Sequence, residues 1–298
     1  MRQLYLRWFC AVGVVCAVSA CADVNKLRDA QAAFNDASTA ETQVQLAPYT
    51  SGSVNVGDLS LRASAGYART VAILKGLSAK ETDQLKADKL LGNALTIEAL
   101  SYWRLKDYDN AAKVAASIDP SSLYTRDAAM VAALPGLIEN SEANADINFE
   151  DPGYSFKTVS GKQCLFGNGT TTTGSNRKNF DLINGLLDDA IQKLDDASGR
   201  LTPDEPVYAY LQQAHLAAFR NKLVAYVSRC TTDSFPAGAG ARPVLLDARE
   251  FPTQDRDHAT QSLKNFYCSA RNLPTTDSQV KVWMRLDGLG DPSVGSCP

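Results

Sequence analysis

The chain has 298 residues, 45% hydrophobic and 21% charged, with 19 Gly and 12 Pro; this globular composition excludes wholesale disorder and leaves room for one large domain or two modest ones. The 30 Lys and Arg against 33 Asp and Glu give a formal net charge of −3. No basic run exceeds two residues, which argues against a surface built on phosphate neutralisation and so against nucleic acid as a partner.

The N-terminus places Arg2 and Arg7 before an apolar run from Trp8 to Val18, followed by Ser19-Ala20-Cys21. A basic start, a short apolar stretch and small residues before a cut site have the form of a secretory signal over residues 1–20. The run is too short for a transmembrane helix, which needs about 20 apolar residues. Val18-Ser19-Ala20-Cys21 resembles the bacterial lipobox. That resemblance implies cleavage before Cys21, a diacylglycerol on its thiol and an acyl group on its amine. Several acyl chains, each methylene contributing about 0.8 kcal/mol, give firm anchoring. Ala22 in the second mature position resembles the signal for an outer-membrane destination. Loss of Arg2 and Arg7 leaves 28 cationic residues against 33 acids, a mature charge of −5. Lipid rather than charge is therefore expected to hold the protein to the membrane, with the body standing off the bilayer.

Beyond the signal, apolar residues recur at helical spacing. Val24–Ser38 carries Leu27, Ala30, Phe34 and Ala37 on one face. Ala40–Val56 is polar and reads as a long connection. Gly57–Leu77 and Lys80–Leu105 are long helical patterns, followed by Asp107–Ile118 and by Tyr124–Glu139, which Pro135 interrupts. Ser141–Arg177 holds Pro152-Gly153, Gly167, the Thr170–Thr173 run and Gly174, and reads as a long Gly/Thr-rich loop, functional or a boundary. Lys178–Ala197 and Pro206–Arg229 form a strong pair, with Gly199 and Pro203 as stop and turn signals. Gln254–Arg271 and Asp277–Leu286 are weaker helical patterns. The expected architecture is mainly α: a helical region at 21–140, a loop at 141–177 and a second helical region at 178–298.

Seven cysteines divide under this scheme. Cys10 and Cys16 leave with the signal, and Cys21 carries lipid. Cys164, Cys230, Cys268 and Cys297 remain, an even number that suits two disulfides in an oxidising compartment, with three connectivities open. Pairing Cys164 with Cys230 and Cys268 with Cys297 closes the shorter loops. Their wide spacing does not match zinc-ligand patterns, and no metal site is expected.

Leu91 to Pro120 contains Ala99, Tyr102, Asp107-Tyr108-Asp109, Ala111 and a closing Pro120. This stretch resembles a tetratricopeptide repeat, a pair of antiparallel helices in which small residues permit close packing. Its second helix is about a turn short, and Ala115 stands where a large aromatic is usual. The phrase recurs in part at Ala30/Phe34/Ala37 and Ala190/Leu194/Ala197. The resemblance implies antiparallel helical hairpins, with an irregular α-bundle as the alternative. Repeat folds of this kind present surfaces for proteins or peptides. Tyr102, Trp103 and Tyr108 cluster near the turn of the best repeat and are candidate partner-binding anchors; packing within the hairpin is the other role open to them.

Enzyme signatures are missing. Gly169–Ser175 has the outline of a phosphate loop but lacks its lysine. His215 shares a helical stripe with Tyr208, Leu211, Phe219 and Tyr226, as a core histidine does, and His258 falls in a charged first helical turn. Asp188, Asp189, Asp195 and Asp196 crowd one helix, where an Asp189–Lys193 pair suits a solvated face. An acid role for Asp195/Asp196 needs a partner that the local pattern does not supply. The expectation is a non-enzymatic envelope lipoprotein that binds or scaffolds another envelope protein, with no cofactor beyond the lipid on Cys21. The alternative is a small-ligand-binding accessory lipoprotein of a transport system.

Overall fold

The computed structural model describes residues 21–47, 54–147, 154–159, 162–167, 175–228 and 253–271, with isolated positions from 276 to 297. The described chain is mainly helical: α1 (Cys21–Leu46), α2 (Val56–Lys75), α3 (Ala79–Ala87), α4 (Leu91–Arg104), α5 (Tyr108–Ala116), α6 (Thr125–Ile147), α7 (Ser175–Ser198), α8 (Pro206–Ser228) and α9 (Thr253–Ala270), with a 3-10 turn at Pro120–Ser122.

Small residues bring the first two helices together. Ala30, Ala33, Ala37 and Ala40 of α1 are buried, as are Ala63, Tyr67, Thr70 and Leu74 of α2. Lys26 bonds the Gly76 carbonyl, Thr70 bonds the Ala30 carbonyl, and Tyr67 bonds Glu41. Partners fall in number on α2 as they rise on α1, so the two helices run in opposite directions. α1 continues to Leu46, which shortens the connection expected at 40–56.

The pattern at Lys80–Leu105 is two helices rather than one. Leu90 N–H donates to Leu85 O and Lys89 N–H to Lys86 O, the paired bonds that end a helix in a left-handed residue. That residue is Lys89, at φ 57°. Leu90 packs against the cluster that holds Leu85, in keeping with the apolar contact that accompanies this ending. The same bonds recur after α4, from Asp107 to Tyr102 and from Lys106 to Trp103, with Lys106 at φ 63°. A lysine in the left-handed region gives no sequence cue, and so the break escapes the periodicity.

α6 runs through Pro135 without stopping. The proline ring is exposed while Ala133, Leu134, Gly136 and Leu137 beside it are buried, so packing offsets the missing N–H. α6 also extends to Ile147, and a hairpin of β1 (Tyr154–Val159) and β2 (Lys162–Gly167) lies inside the expected loop at 141–177, pairing Tyr154 with Gly167 and Val159 with Lys162. The Thr170–Thr173 run lies outside the described residues.

The main core draws on both sides of that segment. Ala99 and Trp103 of α4, Ala111 of α5, Leu134 and Leu137 of α6, Leu194 of α7 and Leu211 of α8 form one cluster. A second joins Leu216 and Phe219 of α8 to Leu263 and Phe266 of α9, with Val280 and Leu289 beyond. A third, around Leu27, Leu74, Leu85 and Ile97, closes the N-terminal end.

Candidate functional site

The helix pattern of α7 turns Leu187, Ala190, Leu194 and Ala197 into the core. Asp188 and Asp195, seven residues apart, then share one flank. On α8, His215 and Lys222 are also seven apart, and on α9 so are Asp255 and Ser262. Seven residues make nearly two full turns, about 10 Å, so each pair repeats on one face. Packing of α8 on α7 and of α9 on α8 brings the three pairs level.

The result is a seam of polar rungs. In one rung, Lys222 Nζ donates to Asp188 Oδ1 at 2.5 Å and to Asp255 Oδ2 at 2.8 Å. Burial opposes the ammonium charge, but these two bonds outweigh it and raise the lysine pKa. In the next rung, His215 Nδ1 lies 2.6 Å from Ser262 Oγ and Nε2 lies 3.6 Å from Asp195 Oδ1. The carboxylate opposite Nε2 favours the ring proton there, leaving Nδ1 to accept the Ser262 hydroxyl. At 3.6 Å the Asp195 contact is electrostatic rather than a hydrogen bond, and Nε2 has no hydrogen-bond partner among the described residues. Burial lowers the His215 pKa; Asp195 pulls it up and His258 pushes it down. Further along, Asn265 donates to Gln212.

Ser262, His215 and Asp195 have the membership of a hydrolytic triad, but not its accessibility. Ser262 is 4% exposed and His215 1%, so the hydroxyl is closed to a substrate carbonyl. The rung binds helices together. The outer carboxylates of the two rungs, Asp188 and Asp195, are about half exposed, which leaves the seam one wet edge.

Asp188, Asp189, Asp195 and Asp196 are exposed, as expected of a solvated face, but their pairing along the helix differs from the expectation. Lys193 pairs with Glu139 of α6, not with Asp189, and Asp195 finds His215 opposite. Both partners are distant in sequence, and the local i, i+4 rule does not reach them. The signal that could have found them is the matched spacing of seven on three successive helices.

A second polar cluster ties the N-terminal helices to α8. Arg104 pairs with Glu41 at 2.8 Å and donates to the Tyr210 hydroxyl at 3.0 Å, while Tyr67 donates to the other Glu41 oxygen at 2.6 Å. Burial, then the Glu41 charge, raises the Tyr67 pKa, and burial raises that of Tyr210. The guanidinium also sits over the Trp103 ring, 4.0 Å from its centroid.

The candidate anchors Tyr102 and Trp103 are 6% and 8% exposed and belong to the main core, against which half-buried Tyr108 also packs. The Trp103 Nε1 donates to Ser141 Oγ at 3.0 Å. The rings of Tyr102 and Trp103 serve internal packing, the other role that the sequence left open to them. Cys268 and Cys297 form a disulfide. Cys164 lies on β2 opposite Lys157, and Cys230 lies outside the described residues. Cys21 is the first residue of α1. Among the described residues, no group of three or more His, Cys, Asp or Glu could hold a metal ion, and no helix is long and apolar enough to cross a membrane.

Set beside known proteins, the chain matches no family model, no curated protein and no solved structure.

Proposed function

We propose that the protein is a bacterial envelope lipoprotein, anchored through acylated Cys21 and facing the periplasm from the outer membrane, whose helical body serves as a binding scaffold for another envelope protein. The observation that carries this reading is the lipobox-like Val18-Ser19-Ala20-Cys21 standing directly before a helical body. α1 begins at Cys21, and Leu27 is already in the core. Six residues of helix amount to roughly 9 Å, so the anchor passes into the body without a long tether. A short rigid link suits a component that must hold a partner at a fixed height above a membrane.

Successive helices packed as neighbours support the repeat-like reading, in which α4 and α5 form one hairpin of a tetratricopeptide type. Because Tyr102 and Trp103 are buried, the partner face must be sought elsewhere. Leu61 at 72%, Tyr124 at 67% and Leu182 at 62% are the most exposed large apolar side chains described, although single exposed apolar residues are common on any surface.

The test is site-specific photocrosslinking from positions 61, 124 and 182 in growing cells. One envelope protein trapped near-stoichiometrically from one position supports the scaffold and locates its face. Membrane-bound protein that gives no adduct from any position contradicts it. A small molecule retained through purification favours a ligand-binding role.

A further inference from the structure

Two rungs tie α9 to α8 at a spacing of seven, and they respond differently to acid. Lys222 keeps its charge below neutrality, held by Asp188 and Asp255. His215 is an imidazole, the side chain whose ordinary titration falls between pH 5 and 8. α9 meets the described fold through α8, and the disulfide from Cys268 carries the Cys297 segment with it. Loosening α9 therefore also loosens the hold on Cys297.

We propose that His215 is an acid-operated latch, which holds α9 on α8 through Ser262 when neutral and releases α9 with its disulfide-linked segment when protonated.

A neutral imidazole offers one acceptor nitrogen, and Ser262 occupies it at 2.6 Å. Protonation makes Nδ1 a donor and reverses the bond: Nδ1–H then donates to Ser262 Oγ, and the hydroxyl proton loses its acceptor in a site where the residue is 4% exposed. The new charge appears in a side chain 2% exposed. Asp195 of α7 stands 3.6 Å away and favours that charge, but its own side chain is 49% exposed, so water weakens the attraction. His258 of α9, one turn before Ser262, opposes the charge. Tyr208, one heptad earlier on α8, lies close enough to Asp195 to feel its charge.

Burial leads these effects and sets the His215 pKa below the ordinary 6.5. For a histidine depressed in the docked state, docking strength is complete above about pH 6.5, falls as pH drops below it, and levels off beneath the docked-state pKa.

The experiment is amide hydrogen exchange on the full-length protein in detergent, at about pH 7.5 and about pH 5.5, on either side of the ordinary histidine value. Intrinsic rates are corrected, and α1 and α2 serve as internal reference. The expected result is a selective loss of α9 protection at the lower pH, up to about tenfold for each pKa unit of depression. His215→Asn should abolish the pH dependence. Two surface variants keep the test open if that protein does not fold. His258→Gln removes a repulsion and should shrink the loss, while Asp195→Asn removes an attraction and should enlarge it. An α9-to-reference ratio equal at both pH values overturns the latch, as do equal effects of the two surface variants.

Discussion

Gly66 of α2 faces Ala37 of α1 so closely that a Cβ at position 66 would lie 2.8 Å from the Ala37 methyl and 3.1 Å from the Ala33 carbonyl oxygen. Backbone stands behind both contacts, so the helices must part to admit a methyl group. Gly185 of α7 has nothing within 4 Å of the same atom.

These two glycines should therefore respond with opposite sign to one substitution. Gly185→Ala removes glycine's entropic penalty in a helix and should stabilise by about 0.5–1 kcal/mol. Gly66→Ala gains the same term but overpacks the α1–α2 contact, and should destabilise by a net 1–2 kcal/mol or so, on the order of the overpacking cost less that gain. Urea midpoints of the two variants decide the matter; a shift of the same sign in both would contradict the close approach.

Lys106 and Lys89 hold left-handed conformations that cost a non-glycine residue about 1–2 kcal/mol. Glycine relieves that strain and gives back about 0.5–1 kcal/mol through unfolded-state entropy. Lys106→Gly should raise stability by about half to one kcal/mol, read as a higher thermal midpoint. Lys106→Val should lower it, because a β-branched side chain suits this conformation least.

Trp103 and Ser141 test the assignment of the aromatics to the core. Trp103→Ala should destabilise by about 3–5 kcal/mol. Ser141→Ala leaves the indole N–H without its acceptor and should cost about 1–3 kcal/mol. Denaturant unfolding measures both. A Trp103→Ala protein of unchanged stability would return the ring to the surface as an anchor.

Glu81 titrates far below an ordinary carboxyl, at about 2, because the Ser78 backbone N–H, then Lys26 and the Ser78 hydroxyl, bond its ionised form. A depressed acid stabilises above its unfolded value of about 4.5, and that contribution disappears as pH falls through its folded value. The start of α3, with its Ser78–Glu81 capping box, should stay intact at pH values where ordinary carboxyls are already protonated. A carboxyl-carbon NMR titration of Glu81 should show its inflection near 2; one near 4.5 would deny the network.

Helix identity was legible in the sequence wherever apolar residues repeated at three and four, as in α1, α7 and α8. Boundaries failed where the ending used unusual chemistry: Lys89 stands where glycine would have marked the turn, and Pro135 sits in a helix that packing sustains. The β1–β2 hairpin left a weak cue, alternating Tyr154, Phe156 and Thr158 before Ser160-Gly161, hidden by the Gly- and Thr-rich surroundings. The polar seam was the deepest omission. Asp195 reads as solvated beside Asp196, and His215 as core beside Leu211 and Phe219. Their pairing belongs to the packing of helices about twenty residues apart in sequence, which periodicity along one helix does not contain.

The lipid anchor at Cys21 is the feature on which the proposed role depends most. Intact-mass and N-terminal peptide analysis of the protein isolated from its own membranes tests it directly. The expected result is a mature chain beginning at Cys21, bearing a diacylglyceryl thioether and an acylated amine, which Cys21→Ala abolishes along with membrane retention. A mature chain with an unmodified Cys21, released from membranes by salt, would contradict it.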